Sequence, residues 1–230
     1  MATTNSTSFA LAFAQERSFS RDLTELVLGF LAIMLILWLP GPEQAIFGPI
    51  ALLATLTVVL LRRPGIEQLG LGRRGFVSSL WIFPAAIGVI AVSVLVARGI
   101  GTLHALHDPN LAHAGGYVIW TLYQQFLLQD YFMPRLTRFL TTNVAITVAA
   151  VLFAVAHLPN IPLAIVTLVW GAVSCALFQR YRNLYALGIA QGLLGLCFAI
   201  CVPDAMHHQM RVGLGFYHYH PEVSAQFGAR

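Results

Sequence analysis

Residues 121–136 read TLYQQFLLQDYFMPRL, which places Gln124, Gln125, Gln129 and Asp130 in a run otherwise fit for lipid. Two more polar residues have similar surroundings, His157 in FAVAHLPN and Gln191 in LGIAQGLLGL. In hydrocarbon an unpaired amide or carboxyl group costs on the order of several kcal/mol. Such residues therefore need partners within the protein or a task. A histidine or a carboxylate can move a proton or ligate a metal, whereas an amide only donates and accepts hydrogen bonds. Gln125 and Gln129, four apart, share a helix face, and Gln124 sits about 100° away. At 1.5 Å per residue from Tyr117, Gln124 lies roughly 10 Å below the outer end of its segment. His157 ends the next segment and Gln191 lies in mid-segment, so all five could meet in one polar pocket of a helix bundle. Asp130 and Arg135 are spaced for an ion pair near the inner membrane interface.

A second group of candidates lies near the C-terminus, in DAMHHQMRVGLGFYHYHPE. His207, His208, His218 and His220, with Asp204 and Glu222 nearby, could chelate a transition metal if the segment folds back on itself. His157 is the other candidate ligand, for a metal or for a tetrapyrrole; hydrogen bonding or capping is the ordinary role of such a histidine. Phe216, Tyr217 and Tyr219 suit an interfacial or partner-docking segment. His104, His107 and His113 carry little signal by spacing. Cys175, Cys197 and Cys201 lie in apolar runs without a Cys-x-x-Cys pair and read as small core residues.

The elements that must position these groups are membrane helices. Of 230 residues, 58% are hydrophobic and 10% charged, where soluble domains carry about a quarter charged residues. The fold class expected is all-α, a polytopic bundle of about seven spans. These are Leu23–Pro40, Gln44–Leu61, Val77–Ala97, Tyr117–Pro134, Asn143–His157, Ile161–Gln179 and Leu184–Val202. The net charge of +4 comes from arginine alone, with no lysine in the chain. Arg17, Arg21, Arg62, Arg63, Arg73, Arg74, Arg135, Arg138, Arg180 and Arg182 fall on one side of a seven-span bundle. Only Arg98, Arg211 and Arg230 fall on the other. This asymmetry predicts a cytoplasmic N-terminus and an extracytoplasmic C-terminus in a bacterial inner membrane. Arginines set singly or in pairs at span ends do not form a phosphate-binding face, so nucleic acid is excluded as a partner. The expected layout is a cytoplasmic segment 1–22 with an interfacial helix, a membrane domain 23–202 and an extracytoplasmic His-rich tail 203–230.

The order of these segments resembles the CPBP family of intramembrane proteases, which includes the CAAX prenyl endopeptidases and the Abi proteins. That family carries Glu-Glu-x-x-x-Arg, then Phe-x-x-x-His, then His-x-x-x-Asn or Asp on successive motif helices. Here QQFLLQDYFMPRL, FAVAHLPN and GAVSCALFQRYRNLYALGIAQGLLG follow that order, and IEQLGLGRRG resembles a segment common upstream. The resemblance covers roughly residues 66–200. It implies the family fold and puts the two glutamates at Gln124 and Gln125, the arginine at Gln129 and the later histidine at Gln191. Gly195 stands at the Asn/Asp position, Asp130 at a family glycine, and of the ionisable motif positions only His157 remains. A glutamine amide cannot take a proton near neutral pH and is a poor metal ligand. The leading expectation is therefore a protein without hydrolytic chemistry, a scaffold, assembly factor or accessory subunit whose partners are other integral membrane proteins and the bilayer. Such a protein requires no cofactor. The alternatives are an atypical hydrolase using His157 and a haem- or pigment-binding subunit.

Overall fold

In a computed structural model, residues 3–106 and 110–219 are described, without the side chains of 3–18. Among them every regular element is helical. The apolar runs become α1 (Thr3–Leu37), α2 (Gly41–Leu60), α4 (Ile82–Ile100), α5 (Leu111–Phe126), α7 (Thr142–Val155), α8 (Ile161–Tyr181) and α9 (Leu184–Cys201). Short helices α3 (Arg73–Ser78), α6 (Met133–Leu136), α10 (Asp204–His207) and α11 (Leu214–Tyr217) join or follow them. Helix starts are written in the sequence. The side chains of Asn110, Asn160 and Asn183 accept from the backbone N–H groups of Ala112, Leu163 and Ala186, satisfying orphan donors at three N-termini.

Among the described residues four helices, α2, α4, α8 and α9, are long and apolar enough to cross a membrane. The other three expected spans fall on α1, on α5 with its continuation, and on the 14-residue α7. Helix α1 runs through the expected boundary at residues 22 and 23 without a break. Leu127–Phe132, between α5 and α6, winds as a π-helix, a form that costs regular hydrogen bonding and gathers at functional sites. Gln129 and Asp130 lie within it.

Two apolar clusters hold the bundle together. Leu128, Phe132, Met133, Ala145, Ala149 and Cys175 join the π-helical segment, α6, α7 and α8. Ile82, Ala86, Phe178, Leu187 and Ala190 join α4, α8 and α9. Helices α5 and α9 pack at backbone distance, because a Cβ at Gly188 would lie 2.8 Å from Leu122 Cα. Thr121 Oγ1 uses the approach to donate to Gly188 O at 2.8 Å. Small residues at a helix interface permit such contacts in a medium where hydrophobicity drives nothing.

Around the middle of α1, the end of α2 and α6 the charges converge. Arg135, 1% exposed, places Nη2 2.5 Å from Glu25 Oε2, donates also to Tyr131 O, and lies over the Tyr131 ring. Arg62 bridges Asp22 at 2.5 Å and Glu25 at 2.6 Å, and Arg138 approaches Asp22 at 3.1 Å. The expected pair of Arg135 with Asp130 is thus replaced. Helix α1, whose packing partner the sequence does not reveal, brings a carboxylate to Arg135, and Asp130 Oδ2 is buried without a hydrogen-bond partner among the described residues.

Replacing Glu25 with alanine strips a buried guanidinium of its carboxylate. The expected cost is about 3–5 kcal/mol, read as a lower melting temperature in detergent. Gly188→Val forces α5 and α9 apart, with an expected loss of about 1–3 kcal/mol in the same melt; a wild-type melt for either variant would contradict the packing described.

Candidate functional site

Helix α5, the π-helical segment, α8 and α9 deliver the polar side chains to one place. Gln129 Nε2 donates to Gln125 Oε1 at 3.0 Å, and Gln125 Nε2 donates to Gln191 Oε1 at 2.6 Å. Gln191 Nε2 in turn donates to Gln124 Oε1. The four amides form a relay with every bond pointing the same way. Trp170 Nε1 donates to Gln191 Oε1 at 3.1 Å, and Ser174 Oγ lies 3.4 Å from Gln125 Nε2 and 3.5 Å from Gln129 Nε2. Gln125 and Gln129 are buried and Gln124 is half-buried. Gln129 Oε1 is buried without a partner among the described residues. Hydrogen bonds in a dry setting polarise one another, so such a chain is stiffer than its separate pairs.

His157 stands apart from the relay. Its Nδ1 bonds Phe153 O at 2.7 Å and its ring meets the Phe153 ring edge-on at 4.8 Å. A carbonyl can only accept, so Nδ1 carries the proton and Nε2 keeps its lone pair. His157 lines a cavity of about 1470 Å³ together with Gln124 and Gln191. The cavity wall is otherwise mainly apolar, including Phe30, Leu52, Trp120 and Leu194, with Tyr117 and Tyr123 as further polar points. The sequence brought five residues to one pocket. The structure joins the four glutamines and sets His157 on the same cavity without a hydrogen bond to them.

The metal candidates regroup. His207, fully buried, gathers with His104 and Asp204, and the ligand atoms of the three lie within 4.8 Å of one another. The Val202 carbonyl beside it raises the His104 pKa, whereas burial lowers that of His207. His208 instead stacks on Phe216 at 3.9 Å and on Tyr219 at 4.7 Å. The His218 carbonyl accepts from Arg211 Nη1, and the His218 ring belongs to no such group among the described residues. Nor does His157. His220 and Glu222 lie outside the described residues, as does His107. His104 was missed because its partners are about a hundred residues away, a distance that spacing rules do not reach.

A family model described as type II CAAX prenyl endopeptidase Rce1-like matches residues 49–197, more than half of the chain. No curated protein and no solved structure matches it.

Truncating the middle of the relay, Gln125→Leu, leaves a buried Gln129 amide donor without its acceptor. The expected loss is about 1–3 kcal/mol. Gln124→Leu, at the half-exposed end, should cost about 1 kcal/mol or less. Equal melting temperatures for the two variants would show that the amides act singly rather than as a chain.

Proposed function

The chain belongs to the type II CAAX prenyl endopeptidase Rce1-like family, a family of integral membrane proteins, and from that premise we propose that it acts by binding rather than by hydrolysis. The observation that carries this reading is the amide relay. Where the family resemblance puts carboxylates, an arginine and a histidine, Gln124, Gln125, Gln129 and Gln191 donate to and accept from one another. General base catalysis needs a group that takes a proton from water, and a hydrogen-bonded amide has no such capacity. The relay also engages one donor each of Gln125, Gln129 and Gln191 that could otherwise meet a peptide carbonyl.

On this reading the protein is a scaffold, an assembly factor or an accessory subunit, and its partners are other integral membrane proteins. Its setting is a bacterial inner membrane, with the N-terminus cytoplasmic and the tail outside. Convergence of Arg62, Arg135 and Arg138 on one charge network supports a common inner face for them. The contact of His104 Nε2 with Val202 O supports a common outer face for the loop after α4 and the tail.

One observation favours a second reading, a haem- or pigment-binding subunit. His157 has its Nδ1 proton held by a carbonyl and its Nε2 lone pair left over, beside a cavity roomy enough for a large apolar ligand. That is the arrangement of a histidine prepared to ligate.

Reconstituted protein is expected to leave prenylated and unprenylated peptides intact. Cleavage that disappears in His157→Ala would sink the binding reading and restore the hydrolase. Gentle purification from native membranes is expected to return a colourless sample with a stoichiometric protein companion. An absorption band that vanishes with His157→Ala would favour the pigment reading instead.

A further inference from the structure

We propose that His104, Asp204 and His207 form a binding site for a divalent transition metal ion of the zinc class, at the tail end of α9. The site lies outside the glutamine relay and does not involve His157. Its donors come from two distant pieces of chain, the loop after α4 and the short helix α10. Two imidazoles and a carboxylate suit zinc, cobalt or nickel and give magnesium or calcium too few oxygens.

The geometry around the donors is what a small ion needs. The Val202 carbonyl oxygen lies 2.9 Å from His104 Nε2 and 2.8 Å from His207 Nε2. Asp204 Oδ1 lies 3.5 Å from that same nitrogen of His207. Both Nε2 atoms thus face one centre, with a backbone oxygen as an available fourth donor. On the far side of its ring, His104 Nδ1 is 3.0 Å from Ala105 O, the outer contact that fixes a metal-binding imidazole with Nε2 inward.

The donors are held independently of any ion. His104 N donates to Ile200 O at 3.0 Å and Thr102 Oγ1 to Cys201 O at 2.8 Å, pinning the loop to the last carbonyls of α9. Asn160 Nδ2 donates to His207 O at 2.7 Å, fixing α10 to the start of α8. His207 is buried, whereas His104 and Asp204 are partly exposed, so the cluster has an open side for entry and for a water ligand.

One feature opposes the ion. His207 Nδ1 accepts from Met210 N–H at 3.0 Å, which keeps the ring proton on Nε2. Binding moves that proton to Nδ1 and turns Met210 N–H away, and His104 releases to solvent any proton it holds on Nε2. The loss is up to three hydrogen bonds, this one and those of the two Nε2 atoms to Val202 O, set against bonds from two imidazoles and a carboxylate to zinc.

The test uses the full chain in detergent, purified without a histidine tag and stripped with chelator, titrated with Zn²⁺ and with Co²⁺ at pH 8. The expected result is one ion per chain, a Co²⁺ spectrum of four-coordinate intensity, and a melting temperature raised by the ion. His104→Ala and Asp204→Asn, both at partly exposed positions, should each weaken Zn²⁺ binding at least tenfold and abolish the melting shift. His207→Ala should do the same where it still folds, as judged by its ion-free melt. No binding by the wild-type chain would overturn the proposal. So would stoichiometric binding unchanged in both His104→Ala and Asp204→Asn, which would place the ion on other histidines.

Discussion

The amide relay depends on how closely α5 and α9 approach. Amide groups on neighbouring helices meet at bonding distance only if the backbones come nearer than ordinary side chains allow. Glycine at 188, facing Leu122, removes the obstruction, and Gln191 lies one turn further along α9. With a larger residue there, Gln125 and Gln191 would be two buried amides without each other, each costing about 1–3 kcal/mol. The bilayer gives them no water to turn to. Close packing and polar satisfaction are thus one condition here, met by the same pair of helices.

At the other end of the π-helical segment, the constraint is a charge rather than an amide. A guanidinium as buried as Arg135 is tolerated only with a carboxylate and further acceptors around it. Glu25 supplies the carboxylate, Tyr131 O a further acceptor and the Tyr131 ring a face for the cation. Tyr131 Oη then donates to Glu25 O at 2.7 Å, so backbone and side chain of one α1 residue are both engaged. This fastens α1 to the segment that carries Gln129. The first helix, which adds nothing to the relay, fixes the far end of the element that does.

The apolar runs located the helices, since a stretch of about twenty such residues has few other forms in a membrane. Periodicity put Gln125 and Gln129 on one face, and a bundle interior is where buried amides on α5 and α9 had to meet. Three things were not legible. The π-helical winding changes which residues share a face after Leu127, so a spacing rule built on 3.6 residues per turn misdirects Asp130. The partner of Arg135 depends on where α1 packs, and α1 announces only that it is apolar and helical. The meeting of His104 with Asp204 and His207 depends on the loop after α4 reaching the end of α9, a contact made chiefly through backbone carbonyls that every residue carries.

The tail connects the two polar regions. Gly213 N donates to Leu158 O at 2.9 Å, directly beside His157, and its left-handed φ of 56° seats the turn against Leu37 at the end of α1. Met210 and Val212 supply part of the wall of the cavity that Gln124, Gln191 and His157 also line. That end of the cavity is therefore made in part of residues that follow α10. Anything that holds α10 in place, from Asn160 to the histidine cluster, also holds that wall. Any ligand of the cavity meets an amide edge on one side, an imidazole lone pair on another and this tail at one end. An apolar body with one hydrogen-bonding or metal-bearing group fits such a surface, and a strongly charged one does not, because among the described residues no fixed charge lines the cavity to repay its desolvation.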